Sequence, residues 1–103
     1  MFSYCQKISS LDLDNFKTIK AENMKGMFSN CYSLISINLK NVDVSKLTKM
    51  SGMFENCKSL SSLNLTNFVS STIKDTSSLF SGCISLTSLN IGNFVTGVIT
   101  VIL

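Results

Sequence analysis

Residues 53–68 read MFENCKSLSSLNLTNF, and this stretch decides the fold because the chain repeats it. The preceding copy is MFSNCYSLISINLKNV at residues 27–42, and the following copy is LFSGCISLTSLNIGNF at residues 79–94. A first copy, MFSYCQKISSLDLDNF, occupies residues 1–16. Each copy therefore begins 26 residues after the previous one. A fixed period of this length is typical of solenoids, in which each repeat buries its apolar face against the next repeat.

The period divides the 103 residues into one domain of four repeats, at 1–26, 27–52, 53–78 and 79–103. A chain this short has no room for a second domain of ordinary size. Solenoids need terminal repeats with a polar outer face, and neither end of this sequence has one. We therefore expect an uncapped fragment of a longer protein or a truncated gene product. Uncapped ends also predict end-to-end self-association of the chains.

A short strand is predicted in every repeat. From Ser62 to Asn67 apolar and polar residues alternate, so that Leu63 and Leu65 face the core while Asn64 and Thr66 face outwards. The same alternation recurs at the same phase in the other repeats. We therefore expect the strands to stack in parallel, one per repeat.

A short helix is predicted on the other side of each repeat. Leu47, Met50, Met53 and Phe54 follow the spacing of an apolar helical stripe. The column where a left-handed helix C-cap favours Gly or Asn contains Asn30, Asn56 and Gly82. The fold class predicted from these patterns is an α/β repeat. It is a right-handed leucine-rich-repeat-like solenoid with one short parallel strand and one short helix per unit.

The cysteine column allows three interpretations. It consists of Cys5, Cys31, Cys57 and Cys83. Zinc is disfavoured because its ligands normally come in close pairs such as C-x-x-C, and the chain has no His. Disulfides between stacked repeats have a permissible Cα separation, but side chains in register do not converge as the bond requires. The favoured interpretation is a ladder of small buried thiols that pack in the core.

A second polar column is predicted to be structural. It consists of Asn15, Asn41, Asn67 and Asn93, one at the end of each predicted strand. An inward-facing amide at this position can donate to and accept from loop backbone that no sheet reaches. We therefore expect this column to satisfy buried backbone groups and not to contact a ligand.

The outward strand positions are the candidate binding face. They are small and polar in nearly every repeat, and solenoids usually bind along such an extended face. The candidate residues are Ser36, Asn38, Lys40, Ser62, Asn64, Thr66, Ser88 and Asn90. No aromatic anchor projects from the face, and interaction hot spots usually need Trp, Tyr or Arg. Tyr32, in a predicted turn, is the aromatic candidate of note; the alternative for the face is a merely solvated surface.

Composition argues against several functions. The net charge is +3, and the basic residues are nine scattered Lys with no Arg, which is a poor pattern for nucleic-acid binding. With no His, no Arg and no Gly-rich phosphate loop, catalysis has little support, and no cofactor or metal is expected. The apolar segment 98–103 is too short to span a membrane.

The motif MFENCKSLSSLNLTNF resembles the repeats of the BspA-type leucine-rich-repeat surface proteins. It is similar to the subgroup with repeats of near 25 residues, abundant in mycoplasmas as PARCEL lipoproteins, and the resemblance extends over residues 1–96. The repeats of this subgroup usually have an Asp between the two apolar residues of the predicted strand, and this chain keeps it at Asp12. It is replaced by Asn at three places: Asn38, Asn64 and Asn90.

The resemblance implies a secreted or cell-surface location and a non-catalytic role in adhesion or in binding a protein, such as a host protein. It carries over no active-site residue. The alternatives are a structural spacer, a fragment of a larger surface protein without activity of its own, and a gene remnant that does not fold stably. Localisation follows from the resemblance alone, since the N-terminus lacks the basic and apolar regions of a signal peptide.

Overall fold

In a computed structural model, the described residues are 6–13, 22–40, 42, 44–66, 73 and 75–90. They form one short strand per repeat, each three residues long. The strands are β1 (Ser10–Asp12), β2 (Ser36–Asn38), β3 (Ser62–Asn64) and β4 (Ser88–Asn90). The predictions for Cys5 and for the inward-facing Asn column at 15, 41, 67 and 93 fall outside the described residues.

The strands pair in parallel, as the repeat predicts, but they form two small sheets. β1 pairs with β2 with Leu11 opposite Ile37, and β3 pairs with β4 with Leu63 opposite Leu89. β2 and β3 are not paired with each other, although the Ser61 N–H, just before β3, donates to the Ile35 carbonyl at 3.3 Å. The sheet is therefore interrupted between β2 (Ser36–Asn38) and β3 (Ser62–Asn64), and we call this interruption the seam.

The predicted helix is wrong, and with it the predicted α/β solenoid, because the described residues contain four short strands and no helix. The segment expected to be helical is a series of turns closed by bonds from residue i+3 to residue i. In the second repeat and at its junction with the third, the N–H groups of Met53, Glu55 and Cys57 donate to the carbonyls of Met50, Gly52 and Phe54.

Alternate N–H groups of this segment donate to the neighbouring repeat, so they are not available for a helix. These bonds occur at every second residue and span 2.7–3.1 Å: Met24 to Lys49, Gly26 to Ser51, Phe28 to Met53, Asn30 to Glu55, Met50 to Asp75, Gly52 to Ser77, Phe54 to Leu79 and Asn56 to Ser81. We call the bonded segments 24–31, 50–57 and 76–83 the turn ladder. A helix would need those same N–H groups for its own carbonyls.

Left-handed residues shape the turn ladder. The column predicted to be left-handed is confirmed, with positive φ at Asn30 (63°), Asn56 (59°) and Gly82 (78°), but each residue ends a turn and not a helix. A second positive-φ column precedes it, consisting of Gly26, Gly52 and Ser78, and it was not predicted. Positive φ at the third position of a turn is the geometry of a type II turn, which favours Gly and Asn.

The core lies between the turn ladder and the strands. Buried apolar residues at the turn side include Met24, Met27 and Phe28 and their equivalents in the next repeat, Met50, Met53 and Phe54. The rings of Phe28, Phe54 and Phe80 form a stack, with centroids 5.6 Å and then 5.9 Å apart. Offset stacking of this kind stabilises aromatic pairs beyond the area they bury, so the Phe column ties successive repeats together.

Candidate binding face

The predicted binding face lies on the outer side of the strands. Seven of its eight residues are exposed, and Asn38 is half-buried. The inward neighbours Leu39, Leu63 and Leu65 are buried. Alternation therefore places these apolar residues in the core and most of the candidate residues in solvent, whereas Leu89 at the centre of β4 is itself 38% exposed.

Two Asn residues of this face use their side-chain oxygens to turn their own chain. Asn38 Oδ1 accepts the Lys40 N–H at 3.0 Å, and Asn64 Oδ1 accepts the Thr66 N–H at 2.9 Å and the Thr66 hydroxyl at 2.7 Å. These are Asx turns, which replace a ladder bond at the end of the strand. This role was not predicted, although an Asn at the last position of β2, β3 and β4 is the signal for it.

The amide nitrogens of the same residues differ across the seam. Asn38 Nδ2 donates to Asp12 Oδ1 at 3.0 Å, which joins β2 to β1. Across the seam, Asn64 makes no equivalent bond to Asn38 among the described residues. The Asn64 amide is therefore an exposed donor beside the interruption of the sheet.

A depression of about 250 Å³ opens at the seam. It is lined by Ile37, Asn38, Leu39, Lys40, Asn64 and Thr66. Lys40 is the one charged residue of the predicted face, and in the part of the chain that the structure describes it has no ion-pair partner. The depression thus combines an ammonium group, an amide donor and the partly exposed side chain of Ile37. This arrangement can bind a ligand that carries an acidic or carbonyl group next to an apolar part.

A second polar depression of about 320 Å³ lies at the turn ladder, between Lys25, Ser51, Asp75 and Ser77. Asp75 Oδ1 accepts the Ser77 hydroxyl at 2.9 Å and the Ser77 N–H at 3.3 Å. These hydrogen bonds hold the pKa of the Asp75 carboxyl below its ordinary value, with a smaller contribution from Ser51 and from the charge of Lys25. The Asp75 carboxylate therefore stabilises a turn of its own chain, and we assign it a structural role.

Two of the three described cysteines are buried in the core, as predicted for this column. Cys31 and Cys57 are buried, Cys83 is half-buried, and none of the three forms a disulfide. The thiols of Cys57 and Cys83 donate to the carbonyls of Phe28 and Phe54, at 3.2 Å and 3.0 Å. Burial, together with the neighbouring thiols of Cys83 and Cys31, raises the pKa of Cys57 from 9.0 to about 12. A thiol this hard to ionise is a poor nucleophile and a poor metal ligand.

The described residues bring together no group of three or more His, Cys, Asp or Glu that could hold a metal ion. They also form no helix with the length and hydropathy that a membrane crossing requires.

Tyr32, the predicted aromatic candidate, lies at the rim between the turn ladder and the strands and is 36% exposed. Lys58 Nζ lies over its ring, 5.1 Å from the centroid, and the Tyr32 hydroxyl donates to Asn30 Oδ1 at 3.3 Å. Two further exposed apolar residues, Ile35 (51%) and Ile84 (80%), were not predicted. The signal was available, because Ile84 occupies the same repeat position as Tyr32 and Lys58.

Comparison with known proteins adds the family. No curated protein and no solved structure matches this chain. A family model does match it, over residues 1–102, which is nearly its whole length. The chain therefore belongs to the family described as Mycoplasma protein of unknown function, DUF285.

Proposed function

We propose that this chain is a non-catalytic module of a cell-surface protein that binds a protein ligand through its strand face. The observation that carries the proposal is the depression at the seam, where Lys40 and the Asn64 amide lie exposed beside the apolar side chain of Ile37. A charged group and an oriented donor next to an apolar surface are the elements of a specific protein contact. The parallel register presents these groups on a backbone that is already ordered, which lowers the entropy cost of binding.

The resemblance of the repeat motif supports the surface location and the type of ligand. DUF285 groups this chain with mycoplasma proteins, and the repeat motif resembles that of BspA-type leucine-rich-repeat surface proteins. The resemblance implies a cell-surface or secreted protein that adheres to or binds another protein, such as a host protein. We infer the same for this chain.

Side-chain chemistry supports a role without catalysis. The chain has no His and no Arg, and the Cys57 thiol keeps its proton far above neutral pH. A catalytic thiol would need a nearby base or a lowered pKa. The exposed groups of the strand face are hydroxyls, amides and one ammonium, which suit recognition better than proton transfer.

The test is a binding assay with the full chain against a panel of purified extracellular-matrix proteins. The decisive variant is Lys40→Glu, which reverses the charge at the depression, and the matched control is Lys46→Glu, which makes the same change at another exposed Lys. We expect one or more matrix proteins to bind, with affinity lowered about tenfold by Lys40→Glu and unchanged by Lys46→Glu. Equal loss in both variants would show non-specific attraction and would contradict the proposal.

A structural spacer is the second candidate, and one observation favours it. The oxygens of Asn38 and Asn64 are already used by the chain's own turns, so part of the polar face serves the fold. A spacer is expected to bind no panel member while it still unfolds in a cooperative thermal transition followed by circular dichroism. An inactive fragment of a larger protein would show neither binding nor a cooperative transition.

A further inference from the structure

The exposed apolar side chains are concentrated away from the strand face. Four large hydrophobic residues are exposed in the described part of the chain: Tyr32, Ile35, Ile84 and Leu89. Three of the four lie in the short segments that follow the cysteine column. We call these segments, residues 32–35, 58–61 and 84–87, the Tyr32 ridge. Apolar side chains that share one surface indicate an interaction site more strongly than scattered ones.

The ridge is held in place by hydrogen bonds from the turn ladder beneath it. The Tyr32 hydroxyl donates to Asn30 Oδ1, and the same oxygen accepts Asn56 Nδ2 at 3.0 Å. The Asn56 N–H donates to the Ser81 carbonyl at 2.7 Å, which fixes the repeat that carries Ile84. Three successive repeats therefore present their ridge residues in register. A rigid aromatic residue on such a support is typical of a binding hot spot.

The charge of the ridge has one sign. Its sequences, YSLI, KSLS and ISLT, contain Lys58 and no Asp or Glu. The equivalent segment of the first repeat, QKIS at residues 6–9, adds the exposed Lys7 and again no acid. The ammonium group of Lys58 lies over the Tyr32 ring, so the positive charge and the aromatic surface are adjacent.

We propose that the Tyr32 ridge is a second binding surface, separate from the strand face, and that it docks an acidic segment of a protein partner. A carboxylate of that segment pairs with Lys58, and an apolar side chain next to it packs against Tyr32 and Ile35. The proposal adds a surface to the proposed function and stands on different residues. Failure of one can therefore be separated from failure of the other.

The observations favour an acidic protein segment over two other occupants. A membrane surface rich in anionic lipid is usually bound by clusters of several Lys or Arg, whereas the ridge and its first-repeat equivalent offer only Lys58 and Lys7. A second copy placed ridge to ridge would bring like charges together with no acid to compensate, which is unfavourable. An acidic segment meets both the charge and the apolar surface.

The test measures fluorescence anisotropy of a short labelled peptide composed of Glu, Leu and Ser, titrated with the full chain. The matched peptide has Lys in place of every Glu. We expect the acidic peptide to bind and the basic peptide not to bind. Lys58→Glu should weaken the acidic peptide about tenfold and allow the basic peptide to bind. Lys46→Glu, at an exposed Lys outside both the strand face and the ridge, should leave the affinity for the acidic peptide unchanged.

Further variants address the apolar part and the competing occupants. Ile35→Ser, at an exposed position, should weaken the acidic peptide while the thermal melting curve stays the same. Equal affinity of the parent chain and Lys58→Glu for the acidic peptide would overturn the proposal. So would binding to anionic phosphatidylglycerol vesicles without peptide binding. A dimer in light scattering that Ile84→Ser dissociates, again without peptide binding, would assign the ridge to a second copy and also overturn it.

Discussion

The two sides of each repeat are built differently. On the turn ladder, eight backbone bonds join successive repeats without a break from residue 24 to residue 81. On the strand side, β1 pairs with β2 and β3 with β4, while β2 and β3 are not paired with each other. The same repeat length therefore produces a continuous ladder on one side and an interrupted sheet on the other.

This difference assigns stability mainly to the turn ladder and the candidate binding groups to the strand side. The turn ladder buries the Phe stack, and its N–H groups alternate between closing a turn and reaching the next repeat. The strand side leaves a depression and exposed donors at the seam. We conclude that the turn side supplies most of the cohesion between repeats, and that the strand side is free to vary in shape. Substitutions on the two sides should therefore differ strongly in their effect on stability.

The largest effect is expected at the centre of the Phe stack. Phe54 is fully buried between the rings of Phe28 and Phe80, so Phe54→Ala removes both stacking contacts and leaves a cavity. We expect the free energy of unfolding to fall by about 3–5 kcal/mol, as for other buried Phe residues. Urea unfolding followed by circular dichroism measures it. The control is Ser62→Ala on the exposed strand face, and a similar loss in both variants would refute the difference between the two sides.

A glycine pair tests how tightly the turn ladder is packed. Gly82 has φ of 78°, and a Cβ there would collide with the side-chain oxygen of Asn56 and lie 3.2 Å from its Cα. Gly26 has φ of 61° but open space, with its nearest neighbour at 3.8 Å. We expect Gly26→Ala to cost about 1 kcal/mol for the left-handed backbone alone. Gly82→Ala should cost about 2 kcal/mol or more, because a collision is added.

The collision at Gly82 can be separated from the backbone cost by a second substitution. Asn56 itself has positive φ, so Asn56→Gly keeps the turn and removes the side chain that a new Cβ would meet. In the Asn56→Gly background, Gly82→Ala should cost less than it does in the parent chain, because only the approach to the residue 56 Cα at 3.2 Å remains. Thermal unfolding of the four chains gives the coupling energy, and a coupling of zero would show that the neighbouring repeat is not in contact at this position.

The cysteine ladder predicts a loss of stability at high pH. The pKa of Cys57 is 9.0 in the unfolded chain and about 12 in the fold, so the unfolded chain loses its proton first as pH rises. Stability from this group is complete below pH 9 and declines between pH 9 and about 12, because the unfolded chain then binds fewer protons. Urea unfolding at a series of pH values should show this decline.

Cys57→Ala is the control for the pH effect. It removes the group that titrates, so the decline above pH 9 should become shallower, with the remainder due to Cys83, whose pKa burial also raises. At neutral pH the pKa shift has no effect, and the variant reports only the lost packing and the lost bond to the Phe28 carbonyl. An unchanged pH profile would show that the thiol ionises without unfolding.

Much of this arrangement could be predicted from the repeat. The strand positions, the inward Leu63 and Leu65 and the buried Cys57 follow from a period that brings the same residue to the same place in every repeat. The left-handed column at Asn30, Asn56 and Gly82 was also predicted from residue type. These features are local and recur at each turn of the chain, which is why one sequence suffices to find them.

The helix could not be distinguished from the turns by apolar spacing. In the turn ladder Met50, Met53, Phe54 and Cys57 are all buried, and the three- and four-residue steps between them are those of a helical stripe. Successive turns closed by i+3 bonds return the chain to the core at those same steps. Gly52, in the middle of the stripe, was the available warning, since Gly disfavours a helix interior and permits positive φ. The seam has no sequence signal at all, because it depends on how the strands of different repeats meet.

The smallest effect is expected on the strand side, at the turn that follows β3. Asn64→Ala removes the oxygen that accepts the Thr66 N–H and hydroxyl, but both donors lie in solvent and can bond to water. We expect a loss of about 0.5–1 kcal/mol in urea unfolding, since exposed groups recover most of a lost hydrogen bond. Asn64→Asp is the control, because it keeps the accepting oxygen and should preserve the turn. If Asn64→Ala instead cost as much as Phe54→Ala, cohesion would depend on the strand side as heavily as on the turn ladder, and the interrupted sheet could not be the freely varying side of the repeat.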